Sequence, residues 1–144
     1  MTHEDAGKYA AKHPPETKLD PQIAQAVKKE LKEEKITCAA AHKIAGELNV
    51  SPADVGVAID LLEVRINKCQ LGLYGYYPQK KIIKPAESVS PSLKDAINKL
   101  TNNNRISCLS CWEVAKNSGV SKIDVASACE ALKIKISPCQ LSAF

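Results

Sequence analysis

The side chains best suited to chemistry in this sequence are its six cysteines. Cys108 and Cys111 stand as Cys-x-x-Cys, with Cys129 and Cys139 downstream. Four thiolates of that kind suit a tetrahedral zinc or an iron–sulfur cluster. A second grouping takes Cys38, Cys69, Cys108 and Cys139 as a set converging from two parts of the chain. Acid–base and nucleophilic chemistry finds less. There is no Gly-rich phosphate loop, no recurring acid pair and no Ser/His/Asp set in a plausible context, so no enzymatic activity is expected. His3 and His13 have no further ligand nearby in sequence.

The cysteines belong to a larger regularity. Ile36-Thr37-Cys38 and Cys69-Gln70-Leu71 recur 70 residues later as Ile106-Ser107-Cys108 and Cys139-Gln140-Leu141. Extending that offset over residues 21–74 and 91–144 gives 16 identities in 54 pairs, without a gap. The chain therefore carries one module twice. The comparison favours packing over metal binding. Cys111 aligns with Ala41 and Cys129 with Ile59, the places of small or apolar core residues. The Cys-x-x-Cys pair exists in only one copy, so no cofactor is expected.

Each module positions these residues on three expected helices. Asp20 and Pro21 are the N-cap and first position of the first helix, with Ile23, Ala26, Val27 and Leu31 on its inner face. Leu93, Ala96, Ile97 and Leu100 repeat that stripe, and the run Thr101-Asn102-Asn103-Asn104 is expected to end the second copy's helix early. Lys28, Lys29, Lys32 and Lys35, among Glu30, Glu33 and Glu34, read as a solvated helical face. Thr37 and Ser107 cap a second helix, and Asn49 or Gly119 ends it in the left-handed conformation. Ser51 and Ser121, with Asp54 and Asp124 three residues on, cap a third. Val64, Arg65 and Ile66, like Ile134, Lys135 and Ile136, then alternate as short strands. A tight turn should return each strand through Cys-Gln-Leu as a β-hairpin, closing on Tyr74 or Phe144.

This order, together with Ala45, Asn49 and Val55 and their counterparts Ala115, Gly119 and Val125, resembles the winged helix-turn-helix superfamily. Ala lets two helices approach, and the turn residue permits a sharp crossing. The implied fold class is mainly α with small β-hairpins, as two tandem winged-helix domains. The expected organisation is a flexible N-terminal tail (1–20), repeat 1 (21–76), a linker (77–90) with a possible strand at Ile82-Ile83, and repeat 2 (91–144).

Many members of that superfamily place the third helix in the major groove of duplex DNA. The resemblance assigns that face to Ser51, Pro52, Ala53, Gly56, Val57 and Asp60, and to Ser121, Lys122, Ile123, Ala126, Ser127 and Glu130. The face lacks an Arg for guanine and an Asn or Gln for adenine, and Asp60 and Glu130 carry the wrong sign for phosphate. The second copy has Lys116, Lys122, Lys133 and Lys135 available for backbone contacts. Nucleic-acid binding with a regulatory role is the leading expectation. Its candidate residues are Ser51, Lys43, Lys116, Ser121, Lys122, Ser127, Lys133 and Lys135. Other members bind proteins, and fold alone does not decide. The alternative is a protein-interaction or assembly module, including a homodimer, with Trp112 as anchor and Val57 and Ile123 at the surface. A cysteine-based metal or redox sensor comes third, with Cys108, Cys111, Cys129 and Cys139 as ligands.

Composition bounds the rest. With 44% hydrophobic and 4% aromatic residues, the cores must be aliphatic. A net charge of +4 permits nucleic-acid binding without arguing strongly for it. No apolar run approaches the roughly 18 residues of a membrane span, and residues 1–20 lack a signal-peptide core. A cytoplasmic protein with no small-molecule substrate is expected.

Overall fold

The structure, a computed structural model, describes residues 9–76 and 81–143. His3, Pro78, Lys80 and Phe144 lie outside the described residues. The described residues are mainly helical with four short strands, and the chain divides into two compact units. One unit runs up to Cys69 and takes the chain again from Gln140; the other is Gln70–Cys139.

In the first unit, α1 (Pro21–Glu30) starts where expected, with Asp20 Oδ1 accepting from the amides of Gln22 and Ile23. Strand β1 (Lys35–Thr37) follows, then α2 (Cys38–Leu48), capped by the Thr37 hydroxyl. Asn49 ends α2 at φ 55°. The Ser51 hydroxyl then accepts from the Asp54 amide at 3.0 Å to start α3 (Pro52–Leu61). Strand β2 (Arg65–Asn67) ends the helical part. The second unit repeats this with α4 (Pro91–Leu100), β3 (Arg105–Ile106), α5 (Cys108–Ser118), α6 (Lys122–Ala131) and β4 (Lys135–Ile136). Gly119 takes the place of Asn49 at φ 67°, and Ser121 that of Ser51.

Three expectations about local structure are corrected. The β-hairpins do not form: β2 pairs in parallel with β1, placing Ile36 against Ile66, and β4 pairs in parallel with β3, placing Ile106 against Ile136. An alternating apolar pattern reports that one face is buried, not which neighbour supplies the hydrogen bonds. The helix pair between the two strands provides the long crossover that parallel pairing requires. Cys-Gln-Leu is therefore not a return strand. Secondly, α4 does end at the Thr101–Asn104 run, with Thr101 as its C-cap, but not earlier than its counterpart. It is as long as α1, and both stop at a two-residue turn, closed by Lys32 with Lys35 and by Asn102 with Arg105. Glu33 and Glu34 sit there at φ 52° and 65°, matching Asn103 and Asn104 at 50° and 62°. The charged run Lys32–Lys35 is thus turn and strand rather than helix face. Thirdly, Ile82 and Ile83 form no strand; the Ile82 amide instead donates to the Gly72 carbonyl at 3.0 Å.

The cores are aliphatic, as the composition demanded. Ile23, Val27, Ile36, Ile44, Val55, Ile59 and Ile66 are buried in the first unit; Ile97, Ile106, Val114, Val125 and Ile136 in the second. At about 1.5–3 kcal/mol for each fully buried aliphatic side chain, these residues supply the main favourable term in each unit. The first-helix stripe is buried more completely in α1 than in α4, where Leu100 is 44% exposed.

The unit boundaries fall immediately after Cys69 and Cys139 rather than at the ends of the repeats. Each cysteine is buried in the unit that holds its own repeat's helices. Leu71 and Leu141, two residues on, are fully buried members of the other unit. The twice-written Cys-Gln-Leu is thus the point at which the repeats exchange their terminal segments.

Candidate functional site

The outer face of the third helix, the face that the helix-turn-helix pattern assigns to a ligand, is already covered in each unit by other parts of the chain. On α3, Gly56 is buried against residues 140–143: a methyl at Gly56 would overlap the Leu141 carbonyl. One turn on, Asp60 is fully buried although it is ionisable. Its Oδ2 lies 2.9 Å from His13 Nε2 and 3.1 Å from Lys12 Nζ. Lys12 Nζ also donates to the Ser142 carbonyl at 3.0 Å, joining both chain ends over α3. The amides of Tyr9 and Ala10 donate to the two carboxylate oxygens of Glu63, at 2.9 and 2.8 Å. Tyr9, 3% exposed, starts the 3-10 turn Tyr9–Lys12. Residues 9–13, expected as part of a free tail, are instead a strap latched to Asp60 on α3 and to Glu63 just past its end. A buried carboxylate needs partners because desolvating an unpaired charge costs several kcal/mol, about as much as many whole interactions supply.

On α6 the cover comes from the segment that follows repeat 1. The Ala86 amide donates to the Ser127 carbonyl at 3.1 Å, and Lys81 pairs with Glu130 at 3.1 Å. Gly72, at φ 72°, closes on Ile123 and Ile83 so tightly that a Cβ would sit 2.8 Å from each side chain. Ala126 is fully buried.

The expected contact residues separate accordingly. The Ser51 and Ser121 hydroxyls are committed to capping α3 and α6. Lys43 is exposed on α2, 3.7 Å from both Glu30 and Glu47. Lys133 and Lys135 are exposed around β4, where Asn104 bonds the Lys133 carbonyl and the Lys135 amide. Ser127 is half-buried under its carbonyl's bond to Ala86. Of the surface anchors, Val57 and Ile123 are half-buried rather than open. Only Lys116, Ser121, Lys122 and Trp112 are brought together. They line an open notch of about 520 Å³ at the turn between α5 and α6, with the Lys122 ammonium 4.0 Å from the centre of the Trp112 ring. That distance is in the range of a cation–π contact.

The cysteines give a different picture from a metal centre. All six are buried thiols. Cys38 and Cys69 belong to one unit, Cys108 and Cys139 to the other. Among the described residues no three or more His, Cys, Asp or Glu side chains are grouped to hold a metal ion. Cys111 and Cys129 do meet, across α5 and α6. The hydrogen bond to Cys129, together with burial and the neighbouring sulfurs of Cys129 and Cys108, pushes the Cys111 thiol far up, so Cys111 is the protonated donor of the pair.

Sequence reasoning missed the Asp60–His13–Lys12 cluster and the Lys81–Glu130 pair. A signal existed. An acid stands at the same place near the end of the third helix in both repeats, Asp60 and Glu130, beside the apolar stripe, and an acid at such a place implies a cation brought from elsewhere. No protein-family model, curated protein or solved structure matches this chain.

Proposed function

We propose that this protein is a non-enzymatic interaction module built from two helix-turn-helix units, each with a parallel β-ladder in place of a wing. In this reading it binds protein rather than reading duplex DNA with its third helices. The observation that carries it is the burial of Asp60 and Gly56 under the chain's own strap and terminal residues. A third helix enters the major groove only with that face free. Freeing α3 means breaking the Asp60 cluster, the two Glu63 bonds and the packing of Leu141 together. Nor would the freed face suit DNA: it would offer Asp60 to phosphate and no bidentate base reader. The alternative, nucleic-acid binding with a regulatory role, is supported by the exposed Lys116, Lys133 and Lys135 alone.

Fluorescence anisotropy with random duplex DNA tests the choice. The protein should give no saturable binding at low salt, where backbone contacts are strongest. Saturable binding that falls steeply with added salt refutes the proposal.

A further inference from the structure

The notch at the α5–α6 turn has an internal control, because the other unit has the same turn. At the equivalent positions the first unit carries Ala39, His42, Gly46 and Pro52; the second carries Leu109, Trp112, Lys116 and Lys122. Repeat 2 has thus put two large apolar side chains and two cations where repeat 1 has small or weakly charged residues. None of the four is needed for the shared core, since the first unit makes the same helices and turn without them. Leu109, Trp112 and Lys116 recur at spacings of three and four residues and so share one face of α5. Leu109 is 52% exposed, a large apolar side chain left in solvent. Trp112, Ala115 and Val120 line the floor of the notch; Lys116 and Lys122 stand at its rim, with Glu113 as the one acid.

We infer that this notch is the partner-binding site of the module, and that it takes an acidic segment of another protein, with an apolar side chain seated on Trp112 and carboxylates against Lys116 and Lys122. The inference rests on the protein-interaction reading above and gives it a place and a chemistry. The charge argument selects the occupant. Seating an apolar anchor on Trp112 brings the flanking residues to two ammonium groups, one of them already held over the ring. Carboxylates there gain attraction, and cationic flanks are repelled. A tryptophan with an apolar body and a polar edge, in a concave site, is the residue type that dominates such contacts.

Trp112 is the only tryptophan, so its fluorescence reports the site directly. The probe is a short synthetic peptide of alternating Glu and Leu; its Lys/Leu counterpart and a random DNA duplex are the comparisons. The acidic peptide should produce a saturable change in emission that the Lys/Leu peptide does not. Lys116→Glu with Lys122→Glu should weaken it by about tenfold or more, by reversing both rim charges. Leu109→Ala should weaken it with the charges intact. Both sets of substitutions lie at the surface, and unchanged circular dichroism verifies the fold. An acidic peptide that leaves Trp112 emission unchanged overturns the inference. If DNA is silent too, the sealed-helix reading stands without this site. If DNA binds and the double lysine variant abolishes it, the notch is a phosphate contact and both readings fall.

Discussion

Replacing Gly56 by alanine probes the cover over α3 with a single methyl group. Gly56 lies inside a helix at ordinary helical dihedrals, so alanine should gain about 1 kcal/mol of helix propensity there. The new methyl, however, falls on the Leu141 carbonyl, a backbone group that moves only if residues 140–143 move with it. If the tail stays, the overpacking costs about 1–3 kcal/mol. If the tail leaves, the burial of Leu141, now complete, is forfeited at about 1.5–3 kcal/mol. Across most of either range the cost exceeds the helix gain, and the net expectation is destabilisation of up to about 2 kcal/mol. Gly46 is the control. It lies within α2, is exposed, and a methyl there meets nothing within 4 Å, so Gly46→Ala should stabilise by about 1 kcal/mol. Urea denaturation followed by circular dichroism compares the two, with stability read from the midpoint at constant slope. Opposite signs are expected. A Gly56→Ala variant as stable as Gly46→Ala refutes the packing of the tail on α3. Repeat 2 already has alanine at the matching position, Ala126, so the backbone covering α6 leaves room for a methyl that α3 does not have.

Other consequences follow from the same geometry. Asp60→Asn removes the charge that holds both His13 and Lys12. Both partners are partly exposed and can rehydrate, so the loss should stay near the lower end for a broken buried pair, about 2–3 kcal/mol. Limited proteolysis should then cut within residues 10–20 faster than in the parent, and an unchanged cutting rate shows that the strap is held by something else. Cys111, buried and kept protonated by its bond to Cys129, should resist iodoacetamide at mildly alkaline pH until the protein unfolds. Alkylation of the folded protein at the rate of a free thiol contradicts that account.

Much of the local structure was legible because it depends on residues close in sequence. Asp20, Thr37, Ser51, Ser107 and Ser121 all cap helices through side-chain oxygens. Asn49 and Gly119 take the left-handed conformation that their types permit at low cost. What the sequence did not disclose is partnership at a distance. The Ile-x-Ile pattern of β2 and β4 is the same whether the neighbour is the next segment or β1 and β3. The Cys-Gln-Leu motif looked like half of a hairpin because its offset aligned within each repeat. Only the fold reveals that Cys69 and Leu71 are buried in different units. The candidate site divided in the same way. Trp112 stood out as the only tryptophan, and Lys116 and Lys122 as cations near the turn, all visible in a linear reading. That Asp60 would be sealed depends on Lys12 and His13, and on the bond from Lys12 to the Ser142 carbonyl, which no local pattern encodes.

The central claim is that the outer faces of α3 and α6 are occupied by the chain itself, and proton–proton distances in solution test it most directly. Nuclear Overhauser spectra should show cross-peaks between the Gly56 α-protons and Leu141, and between the Gly72 α-protons and the Ile123 δ1-methyl group. If both pairs are silent while residues 140–143 give the sharp lines of a free tail, the third helices are open, and the case against DNA reading by those faces falls with the seal.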